Sequence, residues 1–137
     1  MINLAIIPAR KNSKRLKNKN ILNFNGHMLF EHTLIAALKS QCFNKIIITT
    51  DIELPKKILK KYSKKVIFHK RPKKYGTDKS KALEVVNYYY KELGLESEKL
   101  GTISLLLATC PLRSADDIKK AFSTLKKNKK ADGIVSI

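Results

Sequence analysis

The most informative feature of this chain is the stretch Ile6-Ile7-Pro8-Ala9-Arg10-Lys11-Asn12-Ser13-Lys14-Arg15, followed by Lys19-Asn20. Within it, an apolar strand runs directly into a polar loop that is rich in cations. Positive side chains at the end of a buried strand are costly unless an anion neutralises them, and exposed backbone N–H groups beside fixed cations form a nest for phosphate. The stretch therefore predicts a phosphate-binding loop and points to a nucleoside triphosphate. The loop cations are Arg10, Lys11, Lys14, Arg15, Lys17 and Lys19.

Apolar runs and helical patterns alternate along the rest of the chain. The short runs are rich in β-branched residues, which is typical of strands buried on both faces of a parallel sheet. Between them, apolar residues recur at helical spacing, and Ser114 to Asp117 has the form of a capping box that begins a helix. Strands that alternate with helices predict right-handed crossovers and a three-layer α/β fold with a mainly parallel sheet. The predicted strands are 3–8, 45–50, 65–69, 102–107 and 133–137.

Ligands of such sheets bind outside the carboxyl ends of the strands. That rule selects the loop 8–20, Asp51 and the loop 109–113. Asp51 has a second interpretation, as the cap of the helix that follows it, where a carboxylate is favourable. The first loop contains neither G-x-x-x-x-G-K-[ST] nor G-x-G-x-x-G, so it is not a Walker loop and does not support dinucleotide binding.

Composition limits the other classes of function. The chain has 137 residues and a net charge of +18, but its cations are overwhelmingly lysine and are spread over several predicted helix faces. Readers of nucleic acid usually rely on arginine forks and aromatic stacking, so no specific nucleic-acid partner is expected. Cys42 and Cys110 have no metal-ligand spacing. With no membrane span and no secretory signal recognised, we expect a cytoplasmic protein without a membrane partner.

Ordered motifs along the whole chain resemble those of the cytidylyltransferases that activate nonulosonic acids. These are the CMP-N-acetylneuraminic acid synthetases, or acylneuraminate cytidylyltransferases, and their pseudaminic and legionaminic acid relatives. One departure is Leu107-Ala108, where the sialic acid enzymes usually carry Gln-Pro. The resembling segments are Ile7–Arg10 with Ser13–Arg15 and Lys19-Asn20, then Ile47–Asp51, Arg71-Pro72 with Thr77-Asp78 and Ser80, and Ala108–Arg113.

The resemblance implies a Rossmann-like nucleotidyltransferase fold, with residues 1–137 as one nucleotide-binding domain that ends after about five strands and lacks the family's C-terminal part. It also implies roles for individual residues. Arg10 and Lys19 are the catalytic candidates, because they would contact the triphosphate and neutralise charge on the leaving pyrophosphate. Arg113 would hold either the nucleotide-side loop or the acidic sugar. The implied nucleotide-binding residues are Ala9, Arg10, Ser13, Lys14, Lys19, Asn20, Arg71 and Ser80.

The implied reaction joins CTP and a nonulosonic acid to give the CMP-sugar and pyrophosphate. The resemblance implies Mg²⁺ as cofactor, with its aspartate ligands outside this chain, and a homodimer for the full-length family. Asp51 and Asp78 are present but are not assigned as metal ligands. We expect these residues alone to bind CTP weakly and to catalyse little. Three alternatives stay open: a non-catalytic nucleotide-binding or interaction module, a cytidylyltransferase of the KDO-activating type, and a basic nucleic-acid binder.

Overall fold

A computed structural model describes residues 1–11, 15–75, 82–97 and 99–136. Short 3-10 turns lie at Lys19–Ile21, Lys73–Tyr75 and Leu95–Ser97. The predicted strands and helices follow one another in the expected order up to residue 127, and a short hairpin that was not predicted lies between the first strand and the first helix. The elements are β1 (Ile2–Ala9), β2 (Asn23–Phe24), β3 (His27–Met28), α1 (Leu29–Ser40), β4 (Lys45–Thr50), α2 (Lys56–Tyr62), β5 (Val66–Lys70), α3 (Ala82–Glu92), β6 (Leu100–Leu105) and α4 (Ala115–Lys127).

Four strands form one parallel sheet in the order β5-β4-β1-β6. The central strand β1 pairs with a neighbour on each side, so that Ile6 lies between Ile47 and Leu105. Because β4 and β5 lie on one side of β1 and β6 lies on the other, the strand order reverses beside β1. The predicted α/β fold with a mainly parallel sheet is confirmed.

Two apolar cores cover the two faces of this sheet. Successive side chains of a strand point to opposite faces, so Ile46 and Ile48 of β4 pack on the side of α1 and α4, whereas Ile47 packs on the side of α3. Full burial of an isoleucine side chain contributes about 1.5–3 kcal/mol to stability. The isoleucines of β4 therefore favour positions inside these cores. The first core centres on Phe30, Leu34, Ile7 and Ile118, and the second on Leu4, Ile6, Val86, Tyr89 and Leu95.

The predicted capping box at the start of α4 is confirmed. The hydroxyl oxygen of Ser114 accepts a hydrogen bond of 3.1 Å from the backbone N–H of Asp117, and the Asp117 carboxylate accepts one of 2.8 Å from the backbone N–H of Ser114. These hydrogen bonds from Ser114, first from its backbone and then from its hydroxyl, lower the pKa of the Asp117 carboxyl. The cap thus begins α4 at the end of the loop that follows β6.

The strand predicted at 133–137 is wrong for the residues that the structure describes there. Residues 133–136 pair with no described strand, and Ile134 and Val135 are exposed. An apolar run becomes a strand only where a neighbour takes up its backbone hydrogen bonds. The last strand of the sheet also begins earlier than predicted, because β6 pairs with β1 from Leu100 onward. The Asn25-Gly26 turn, which joins β2 to β3, has positive φ at both residues, as a tight hairpin requires.

Candidate nucleotide-binding site

The candidate site lies where the strand order reverses, at the carboxyl ends of β1 and β6. In open α/β sheets this is the place where a crevice forms between neighbouring loops. Arg10 follows β1 directly, and Leu107 and Ala108 follow β6. The backbone N–H of Leu106 still donates to the carbonyl of Ile6 over 2.9 Å, so the two chains separate only beyond that pair. The basic loop predicted from the sequence therefore leaves the sheet at this crevice.

Strand register brings side chains from three strands together on the face that α3 covers. Pro8 of β1 lies beside Thr49 of β4, which lies beside His69 of β5. Arg10, Asp51 and Arg71 each come directly after the end of one of these strands, and the charges of Arg10 and Asp51 both act on the guanidinium of Arg71. Sequence positions far apart thus form one row of two cations with a carboxylate between them.

Arg71 is the most buried cation of this row. Its side chain is only 8% exposed, and its Nε atom has no hydrogen-bond partner among the residues that the structure describes. Burial lowers the pKa of the guanidinium, and the charge of Arg10 lowers it further, whereas Tyr89 and Asp51 oppose this decrease. A buried donor without an acceptor is costly, and a ligand atom that accepts from Arg71 would remove this cost.

The Arg10–Lys11 peptide group is held from two directions. The side-chain amide of Asn20 donates from Nδ2 to the carbonyl of Arg10 over 2.9 Å, and the N–H of Lys11 donates to Oδ1 of Asp51 over 2.6 Å. The interpretation of Asp51 as a helix cap is wrong, because α2 begins only at Lys56 and the Asp51 carboxylate binds the basic loop instead.

The other predicted site residues differ in how they face the crevice. Ala9 is buried at the end of β1, so it can offer a ligand only its backbone. Lys19 is half-buried in the 3-10 turn that also holds Asn20. A terminal nitrogen of Arg113 donates to the carbonyl of Leu107 over 3.3 Å, which supports the loop after β6. Three predicted residues, Ser13, Lys14 and Ser80, lie outside the described residues.

A polar cluster beneath the row escaped the sequence analysis. The hydroxyl groups of Tyr89 and Thr49 hydrogen-bond each other, and both side chains are fully buried. The Tyr89 ring packs edge-on against His69, with 4.8 Å between ring centroids. Burial raises the pKa of the Tyr89 hydroxyl. The only signal for this contact in the sequence is the helical spacing that places Tyr89 with Val86 on the inner face of α3.

The described residues do not form a set of ligands suited to Mg²⁺. That ion prefers several oxygen ligands, usually carboxylates together with phosphates. No group of three histidine, cysteine, aspartate or glutamate side chains comes together over the described ranges. Asp51 lies between two cations and already accepts a hydrogen bond from the N–H of Lys11.

No helix in the described part of the chain combines the length and the apolar character of a membrane span.

The fold is that of a Rossmann-like α/β domain with a polar crevice at the carboxyl ends of its parallel strands. The family model for cytidylyltransferases matches residues 4–136. The chain is 33% identical to the pseudaminic acid cytidylyltransferase of Campylobacter jejuni over 128 residues, which are 93% of this chain and 55% of the relative. It is 34% identical to the N-acylneuraminate cytidylyltransferase of Escherichia coli over 134 residues, or 98% of this chain and 30% of that relative. The chain belongs to the cytidylyltransferase family.

A solved structure supports the fold assignment. The structure of CMP:2-keto-3-deoxy-manno-octonic acid synthetase complexed with CTP superposes with a TM-score of 0.65 at 18% identity, over 95% of this chain and 49% of the other. At this identity the similarity concerns the fold. The chain spans about half the length, or less, of these relatives. The resemblance to the nonulosonic acid enzymes is thus confirmed at the level of the family, and the cytoplasmic location and the homodimer stay predictions.

Proposed function

We propose that residues 1–137 form the nucleotide-binding domain of an enzyme that transfers CMP from CTP to a nonulosonic acid and releases pyrophosphate. The observation that carries the proposal is the row of Arg10, Asp51 and Arg71 at the carboxyl edge, in a chain of the cytidylyltransferase family. Its relatives named for pseudaminic acid and N-acylneuraminate support a nonulosonic acid as the acceptor.

Two cations, one near each end of the basic loop, suit the triphosphate. We assign Arg10 and Lys19 to the phosphate oxygens of CTP, together with Ser13 and Lys14 of the same loop. Ala9 would contact the nucleotide through its backbone. In the reaction, the anomeric hydroxyl oxygen bonds to the α-phosphorus and loses its proton, while the bond from that phosphorus to the pyrophosphate oxygen breaks. Negative charge increases on the leaving group, and fixed cations stabilise it without reorganisation.

Arg71 suits the nucleoside rather than the phosphates. It is buried, its Nε atom is unbonded within the described ranges, and it lies one strand further from the basic loop than Asp51 does. A guanidinium in this position can donate to the acceptor atoms of cytosine or ribose. We therefore assign Arg71 to the cytidine, with Asn20 and Ser80, and assign Arg113 to the loop after β6.

Divalent cation enters the proposal as part of the substrate, because CTP is supplied as its Mg²⁺ complex. The described residues offer no ligand set for a resident ion, so the roles above rest on the side chains of this chain alone. For the whole enzyme, we also propose Mg²⁺ as the cofactor. Its partners would be CTP and a nonulosonic acid.

Substitutions in the basic loop test the proposal. We expect Arg10→Ala and Lys19→Ala each to weaken binding of CTP at least about tenfold in calorimetric titrations, which is typical of losing a charge-assisted contact. Lys57→Ala is the matched control, because Lys57 is an exposed cation of α2. Equal loss from all three variants, decreasing steeply with added salt, would contradict a specific site and favour general attraction to the net charge.

A second candidate is a nucleotide-binding module without catalysis. It rests on the same family match and the same row of charged residues as the first candidate. Both candidates predict CTP binding. They differ in the yield of CMP-sugar when the chain is incubated with Mg²⁺, CTP and a nonulosonic acid. We expect little product from residues 1–137 alone, and a rate comparable to that of a full-length relative would contradict this expectation.

A further inference from the structure

The peptide group that joins Arg10 to Lys11 marks the point where β1 becomes the basic loop. Its carbonyl accepts from Nδ2 of Asn20 at 2.9 Å, and its N–H donates to Oδ1 of Asp51 at 2.6 Å. Both polar atoms of one peptide group are therefore taken by side chains, one from the 3-10 turn after the loop and one from the end of β4. This arrangement fixes the plane of the peptide, and with it the direction in which the Arg10 side chain leaves the backbone.

The Asp51 contact is the stronger of the two. A hydrogen bond to an ionised acceptor is shorter and about twice as strong as one between neutral groups, and a length of 2.6 Å is consistent with that class. Asp51 is exposed, and the next contact in the chain, from Ile52 N–H to the hydroxyl of Thr50 at 3.0 Å, fixes its backbone. The carboxylate is therefore held at the carboxyl end of β4, where it accepts a hydrogen bond from the Lys11 N–H of the basic loop.

A negative charge at this edge opposes the binding of a triphosphate on purely electrostatic grounds. Asp51 lies in the same row as the two cations proposed to bind CTP, Arg10 and Arg71, and its charge acts on the guanidinium of Arg71. A carboxylate in an anion-binding site is thus unfavourable unless it has a structural role that outweighs the repulsion. The hydrogen bond from Lys11 N–H gives Asp51 such a role, because it holds the backbone of the basic loop.

We propose that Asp51 is a positioning residue, which with Asn20 fixes the Arg10–Lys11 peptide so that Arg10 is directed at the triphosphate. This inference rests on the proposed function. It makes a prediction of opposite sign to simple electrostatics: removing the side chain weakens CTP binding although it removes a negative charge. An amide in place of the carboxylate keeps the acceptor oxygen and removes only the charge.

Two variants of Asp51 and one control separate these effects. We expect Asp51→Ala to weaken CTP binding about tenfold and Asp51→Asn to bind CTP at least as tightly as the original chain. Glu53→Ala is the control, because it removes an exposed negative charge two positions further along, and it should leave affinity unchanged or slightly increased. Calorimetric titration with the Mg²⁺ complex of CTP gives the affinities, and the thermal midpoint of each variant shows that it is folded.

A second readout does not depend on nucleotide. The backbone amide of Lys11 should exchange with solvent about tenfold faster in Asp51→Ala than in Asp51→Asn, as measured by NMR without CTP. Unchanged exchange in Asp51→Ala overturns the proposal, as does CTP binding by Asp51→Ala that equals or exceeds that of the original chain. If the original chain binds no CTP, the proposed function fails with the positioning role, and the Lys11 exchange rates then report only whether the contact holds the peptide.

Discussion

Asn20 donates a hydrogen bond of 2.9 Å from its side-chain nitrogen to the backbone carbonyl of Arg10. The two residues lie at opposite ends of the basic loop, so this contact closes the loop at its base. Asn20 is only 5% exposed, and its side-chain oxygen accepts no hydrogen bond from any described residue. The amide thus has one atom engaged with the loop and one left for a ligand, which suits both a structural role and the contact with cytidine that the sequence predicts.

Asn20→Asp tests this contact with almost no change in shape. An ionised carboxylate has no donor. Its negative charge would be repelled by the partial negative charge of the Arg10 carbonyl oxygen, which would lose the hydrogen bond from Asn20. We expect the free energy of unfolding to decrease by about 1–3 kcal/mol and CTP affinity to decrease with it, as measured by urea unfolding and calorimetry. Asn87→Asp on the exposed side of α3 makes the same chemical change and should leave both quantities nearly unchanged.

Arg71 should show a conflict between stability and binding. Because its guanidinium is buried and its Nε atom is unbonded among the described residues, we expect Arg71→Met to keep or increase the free energy of unfolding. The same variant should lose CTP binding. Lys70→Met, at the exposed neighbouring position, should change neither quantity. A large loss of stability in Arg71→Met would show that the cation is part of the structural core rather than a ligand contact.

Tyr62 connects α2 to α1 through a buried carboxylate. Its hydroxyl donates to Glu31 at 2.8 Å, and the N–H of Met28 donates to the other oxygen at 2.9 Å. Tyr62→Phe removes the closest donor to one oxygen of this nearly inaccessible carboxylate and leaves the Lys61 ammonium, 3.7 Å away, as the nearest remaining cation, so we expect a decrease of about 1 kcal/mol in the free energy of unfolding. Tyr90→Phe makes the same change at a half-buried position and should cost less than half as much. Equal costs would show that the contact contributes little.

Alkaline pH should destabilise the fold through the buried tyrosines. Burial raises the pKa of Tyr62 and of Tyr89 above the ordinary value of 10.0. The unfolded chain therefore loses these protons first. The stability that the two neutral hydroxyls provide is complete below pH 10 and is lost as the pH increases through that value toward the folded-state pKa.

Urea unfolding measures this dependence when it is repeated at pH values between about 8 and about 11.5. These pH values extend up to roughly two units from the ordinary tyrosine pKa. The double variant Tyr62→Phe/Tyr89→Phe should show a clearly smaller loss of stability above pH 10 than the original chain, whereas Tyr90→Phe should follow the original chain. The same slope in all three proteins would show that Tyr62 and Tyr89 do not cause the alkaline transition.

Local patterns predicted the fold well because local physics determines it. The apolar runs that became β1 and β4 have a neighbouring strand on both sides, so their burial follows from composition, whereas β5 at the edge of the sheet leaves Ile67 exposed. The capping box at Ser114 is likewise a property of four adjacent residues. Residues 133–136 failed as a strand because a strand needs a partner, and an apolar run alone does not show whether one is present.

The site was harder to predict because it depends on register. The row of Arg10, Asp51 and Arg71 exists only because three strands pair without a shift of one residue. Sequence motifs indicated each residue separately. The interpretation of Asp51 as a helix cap was wrong for the same reason, as no local pattern shows that its carboxylate accepts a hydrogen bond from the N–H of Lys11.

The most direct test of the proposed nucleotide site is a calorimetric titration of the chain with CTP, ATP and GTP, each with Mg²⁺, at moderate salt. We expect CTP to bind clearly more tightly than the two purine nucleotides, because the proposed site holds the nucleoside as well as the phosphates. Equal weak binding of all three that disappears as salt is added would contradict this expectation, and would reduce the basic loop to a nonspecific site for anions.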